Sequence, residues 1–178
     1  TSYKQITDET ESPLNVIPTN AAVILQCNNP NELYANLNDI DIWEHLRNIS
    51  FMDSINNQIK EISDFYTQYS LIFKNNTLFI SFHKVGANNS GLLFSSNFDS
   101  KIINSNNKLN ALLENVISED KYNNQSIFGL QHKNITLFVS FKETIVFLSE
   151  NKMLVEDAIR ASVAKDKLSL KPSFSTAY

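Results

Sequence analysis

Three short apolar runs, residues 126–132, 135–141 and 144–148, follow one another with only Lys133-Asn134 and Lys142-Glu143 between them. A two-residue link reverses a strand but cannot return it for parallel pairing, which takes a crossover of roughly a dozen residues or more. The C-terminal half must therefore form an antiparallel meander, and the rest of the chain must extend that sheet or cover it. The three glycines of the chain are too few and too scattered for a Gly-rich phosphate loop, a dinucleotide fingerprint or a nucleophile elbow.

A further hairpin precedes the meander. Leu78, Ile80 and Phe82 alternate with Phe79, Ser81 and His83, and Leu92-Leu93-Phe94 returns. The stretch Gly86-Ala87-Asn88-Asn89-Ser90-Gly91 reads as its turn, bracketed by two glycines. Gly129 falls inside a strand pattern, where a missing side chain marks a bulge or close packing. The run from Ala21 to Cys27, bounded by Pro18-Thr19-Asn20 and Asn28-Asn29-Pro30, has the pattern of a short buried strand.

Helical spacing fills the intervals. Ile55, Ile59, Ile62, Tyr66 and Tyr69 lie on one face of an amphipathic helix. Upstream, Asn29 with Glu32, Asp41 with Glu44, and Ser50 with Asp53 are capping signatures that break the segment into short helices. Leu109, Leu112, Leu113, Val116 and Ile117 predict a further short helix after a loop at 97–107. Leu154, Val155, Ala158, Ile159 and Ser162 predict a last helix over 152–164, capped by Ser149 or Asn151. Residues 1–15 and 165–178 show no period and read as a flexible leader and an exit linker around a single domain at 16–164. The expected class is α+β, a two-layer, largely antiparallel sheet of about six strands covered by helices, with one face buried and the other partly wet.

Composition narrows the partners. The net charge is −4, and no Lys/Arg run exceeds two residues, so the basic stripe that a nucleic-acid surface requires is missing. No stretch approaches the roughly 20 apolar residues of a bilayer span. The single Cys27 makes no intrachain disulfide and fits the cytosol or a cysteine-avoiding bacterial envelope equally. The 24 Asn reflect AT-rich coding and punctuation of the fold: Asn29 at a cap, Asn88, Asn89 and Asn134 in turns, Asn106 and Asn107 before a helix. A carbohydrate-contacting surface is the sharper alternative.

Candidate chemistry is sparse. His83 and His132 each end a strand and precede a Lys, which reads as surface placement; His45 lies in a helical segment. If the strands of His83 and His132 were neighbours, the two imidazoles could meet, yet zinc would still want a third ligand at a short spacing, so neither a metal nor another cofactor is expected. Cys27, at a strand end before a helix, is either a thiol activated by the helix dipole or an inert buried one. The carboxylate pairs Asp39/Asp41, Glu119/Asp120 and Glu156/Asp157 read as caps and first-turn acids rather than a glycosidase pair. Trp43, Tyr66, Tyr69, His83 and His132 are the weak candidates for a ligand surface, with Tyr34 a further aromatic able to stack on a sugar.

Three segments carry a family resemblance. The run from Ile17 to Gln26, followed by Asn31-Glu32-Leu33, Trp43 and Leu46, resembles a family of large uncharacterised Bacteroidetes envelope proteins. Phe82-His83-Lys84-Val85-Gly86 is similar to that family's hairpin segment, and Leu154-Val155-Glu156-Asp157-Ala158-Ile159-Arg160 to its most distinctive helix. The resemblance spans most of residues 16–164 and implies an N-terminal piece of a longer exported protein. An N-terminal membrane or lipoprotein anchor would precede it and a propeller-like repeat region would follow. It implies a periplasmic or surface-exposed location, membrane association only through an anchor outside this chain, and an unknown protein or glycan partner. No activity or functional residue comes with it. Three readings follow: a non-catalytic envelope module, a glycan- or peptide-binding domain, or a hydrolase with a dispersed site.

Overall fold

Period-two alternation sends neighbouring side chains to opposite faces of a sheet, and in this chain both faces are apolar enough to need a cover. The computed structural model describes residues 11–33, 37, 52–70, 72–87, 89–98, 112 and 114–170. Its strands are β1 (Val23–Cys27), β2 (Phe73–Val85), β3 (Asn89–Phe98), β4 (Val116–Tyr122), β5 (Gln125–His132), β6 (Ile135–Lys142) and β7 (Ile145–Ser149). The described α-helices are α1 (Met52–Gln68) and α2 (Lys152–Val163). The strands form one seven-stranded sheet in the order β1-β2-β3-β7-β6-β5-β4, and every pairing is antiparallel. Two meanders, β1–β3 and β4–β7, thus join side by side where β7 meets β3.

The expected α+β class holds, with seven strands instead of about six. The additional strand is β4. Val116 and Ile117, read from their spacing as the end of a helix, belong to this edge strand instead, Val116 pairing with Leu130 and Ile117 lying at a register shift. The link to β5 explains this: Asn123 (φ 48°) and Asn124 (φ 62°) both take left-handed backbone. That conformation makes a tight hairpin turn, and Asn tolerates it better than other side-chain-bearing residues. The β2–β3 hairpin is also longer than its apolar core suggested. Asn97 and Phe98, expected in a loop, belong to β3, and Gly91 lies in β3 opposite His83 rather than in the turn. Gly86 alone occupies the turn with positive φ, 64°.

The sheet is covered on both faces, so the two-layer arrangement with a partly wet face is corrected to three layers. On one face, Leu78, Ile80, Phe94, Val139 and Leu148 pack with Ile55, Ile59, Ile62 and Phe65 of α1. On the other, Leu93, Ile127, Ile145 and Phe147 pack with Leu154, Val155, Ala158 and Ile159 of α2. The stripe read for α2 is its buried stripe, and in α1 Ile55, Ile59, Ile62 and Tyr66 are buried as read, whereas Tyr69 lies past the helix end and is half-buried. α2 is capped by Asn151, whose side chain accepts from Met153 N at 3.0 Å. Asn29, by contrast, makes no side-chain cap; the residues after it form a 3₁₀ turn, Pro30–Glu32.

Small polar residues level the α2 face. Phe147 stands in register between Ser95 of β3 and Ser140 of β6, and all three are fully buried. Residues 13–17 and 168 close over this face. Leu14, in the 3₁₀ turn Pro13–Val16, and Leu168, in the turn Leu168–Leu170, pack with Ile17 and Phe79. Parts of the segments read as leader and linker are therefore built into the fold. The remaining leader and linker residues, Leu109 and Leu113 of the expected helix stripe, and the region holding Tyr34, Asp39, Asp41, Trp43 and His45 lie outside the described residues.

Candidate functional site

His83 follows Ser81 on the α2 face of β2. It is buried at 2% exposure, which corrects the expected surface placement. Its Nε2 lies 2.8 Å from Ser81 Oγ. Ser81 gives its own proton to the Leu93 carbonyl at 3.2 Å, so its oxygen accepts from Nε2–H. Proton accounting therefore assigns the Nε2–H tautomer; Nδ1, 3.4 Å from Asn20 Oδ1, is then an acceptor and is satisfied when the Asn20 amide turns its Nδ2 to the ring in place of Oδ1. Burial pushes the imidazole down to about 4, because the apolar surroundings disfavour its cation. This His–Ser contact is not a nucleophile–base pair: Ser81 is fully buried and its proton points away from the imidazole.

His132 is buried as well, at 6% exposure, on the opposite face and edge-on to Phe65 at 5.5 Å and 87°. Three strands separate β2 from β5, so the two histidines do not meet. His132 Nε2 lies 3.8 Å from Glu61 Oε2, beyond hydrogen-bond distance, and has no hydrogen-bond partner among the described residues. Lys133 Nζ sits 3.2 Å from Glu61 Oε2 and also pairs with Asp64. Burial first, then the Lys133 charge, lowers the basicity of His132, against the pull of Glu61 and Asp64. The cluster ties α1 to the β5–β6 turn.

Of the other candidates, Tyr66 is buried at 2% exposure and stacks on Phe73 at 3.9 Å; burial pushes its hydroxyl up to about 12. It is a core residue, not a ligand platform. Tyr69 is half-buried, leans on Phe65 and accepts from Gln68 and Asn115. Trp43 lies outside the described residues. Cys27 is half-buried, and burial raises its thiol, the opposite of an activated nucleophile. Asp120 pairs with Lys152, and Asp157 with Arg160. Among the described residues no three His, Cys, Asp or Glu side chains gather as a metal-ligand set, and no helix is long and apolar enough to cross a membrane.

One opening rich in polar groups was not legible in the sequence. A cleft of about 430 Å³ lies between the first turns of α1 and the β7–α2 corner, lined by Ser54, Gln58, Asn89, Ser90, Glu150 and Asn151 over Ile55 and Gly91. An adjoining cleft shares Ile55, Asn89 and Ser90 and reaches Phe82, His83 and Lys84. Among the described residues that line the first cleft, Glu150 is the charged one. Burial raises its carboxyl, and the charge of Glu61, about one helical turn beyond Gln58, raises it further. No sequence spacing links residues 54–58, 89–90 and 150–151. The nearest signal was Asn151, recognised as a cap candidate without its neighbour.

These features define an α+β domain built on an open antiparallel sheet with a polar cleft at one end. Compared with protein-family models, curated proteins and solved structures, the chain finds no match.

Proposed function

We propose that this domain is a non-catalytic module of an exported, membrane-tethered bacterial envelope protein, serving in assembly or ligand contact. The observation that carries the non-catalytic part is the commitment of the buried hydroxyls. Ser81, Ser140 and Ser149 donate to carbonyls of neighbouring strands, and Ser95 donates to the Pro13 carbonyl. These four serines, of the residue type that a hydrolase with a dispersed site would draw on first, here hold the sheet together. The resemblance of residues 17–26, 82–86 and 154–160 to Bacteroidetes envelope proteins supports the location, with the anchor outside this chain. Fractionation of cells expressing the full-length gene product tests it: recovery with the membrane or periplasm is expected, and recovery with the cytosol overturns it.

A second reading, a glycan- or peptide-binding domain, is favoured by one observation. The cleft at the α1 end is walled by amide and hydroxyl side chains, the groups that meet sugar hydroxyls or peptide amides. A glycan array probed with the 178-residue chain tests it, and a blank array together with no peptide capture disposes of it.

A further inference from the structure

We propose that the cleft between the first turns of α1 and the β7–α2 corner binds an amino sugar, with Glu150 receiving the ammonium group and the surrounding amides and hydroxyls receiving the ring hydroxyls. The inference deepens the glycan-binding reading above and rests on it.

Charge is the first argument. Glu150 is half-buried, and among the described residues no Lys or Arg pairs with it. Lys133 is engaged by Glu61 and Asp64, and Lys84, in register with Ser90, lines the adjoining cleft without an ion pair to Glu150. Glu61 adds a second negative charge behind Glu150. A partly buried carboxylate beside another, with no cation of its own, is an unfavourable arrangement. A ligand ammonium in the cleft offsets the charge of Glu150.

Hydrogen-bonding capacity is the second. Gln58 Nε2 donates to Ser54 Oγ at 3.3 Å, which leaves the Gln58 carbonyl and the Ser54 hydroxyl proton for a ligand. Asn151 Oδ1 is taken by Met153 N, which leaves its Nδ2 as a donor. Asn89 and Ser90 add both kinds of group on the facing strand. Such a wall of neutral donors and acceptors matches a body dense in hydroxyls, which both donate and accept. The volume, about 430 Å³, lies in the range of small-molecule sites.

Glucosamine and glucose, which differ at one substituent, are the probes. Each is titrated into the ¹⁵N-labelled 178-residue chain at about pH 6.5, where such an amine is charged. Glucosamine is expected to shift the amides of Gln58, Asn89, Ser90 and Asn151, with a Kd about tenfold below that of glucose. Glu150→Gln is expected to erase the tenfold preference while the rest of the spectrum keeps its dispersion. Gln58→Ala, on the accessible side of α1, is expected to weaken both sugars alike. Equal binding of the two sugars in the cleft, or a preference that survives Glu150→Gln, overturns ammonium recognition and leaves the glycan reading standing. No shift in the cleft with either sugar overturns both.

Discussion

Acidification should destabilise this domain through His83, and a single substitution should remove that share of the effect. His83 is buried at 2% exposure, so solvent does little to soften the cost of charging it. Its folded-state value is about 4 against an ordinary 6.5. A histidine with a lowered folded pKa is protonated first in the unfolded chain. Its contribution to stability is therefore intact above pH 6.5 and is lost as pH falls from there toward 4. Linkage puts the loss at about 2 kcal/mol between pH 7 and pH 5, and at about 3 kcal/mol once both states are protonated. His132, lowered in the same direction, adds to the slope of the wild-type chain. The variant His83→Gln keeps an N–H to offer Ser81 Oγ but cannot titrate. Urea denaturation followed by circular dichroism at pH 7, 6 and 5 gives the difference between wild type and variant. That difference should shift in favour of the variant by about 2 kcal/mol on going to pH 5. Parallel stability–pH curves would show that His83 is protonated in the folded state and that the burial argument is wrong.

Three further outcomes test the packing. A methyl group at position 91 would meet Leu154 Cδ1 at 2.8 Å and Val85 Cγ2 at 3.1 Å, so Gly91→Ala should cost about 1 kcal/mol by urea denaturation. Leu154→Ala in the same chain should make the two changes non-additive, and strict additivity would mean that α2 does not press on β3 there. Asn151→Ala removes the cap on Met153 N and should lower stability by about 1 kcal/mol, with faster amide exchange confined to the first turn of α2. At the β4–β5 turn, Asn124 holds φ 62°; Asn124→Gly should be neutral or stabilising in thermal melts, and Asn124→Val should be destabilising by about 1 kcal/mol or more.

Local pattern carried most of the elements. The stripe Ile55, Ile59, Ile62 and Tyr66 was readable because α1 buries one face against a sheet, and burial on one side writes a 3.6-residue period. The tight links at Lys133-Asn134 and Lys142-Glu143 were readable because so short a link permits only reversal. Residues 112–117 misled for a related reason. Leu112 and Val116 both pack toward the α1-side core, but Val116 reaches it from an edge strand. A spacing of four residues satisfies both a helix face and alternate positions of a strand, so periodicity alone could not separate them. The exposure of Ile117, 58%, belongs to that edge.

The antiparallel hairpins, the helices α1 and α2 and the absence of a Gly-rich phosphate loop were thus determined by the sequence itself, because each depends on residues within one or two elements. Tertiary structure alone decided the rest. The pairing of β3 with β7 joins residues about 50 apart in the chain, and that one contact places α1 and α2 on opposite faces. Burial of His83 and His132 follows from those covers, not from their neighbours in sequence. The cleft is the extreme case. Ser54, Asn89 and Glu150 come from three separate elements and become neighbours only when the sheet closes, so no local signal could record them.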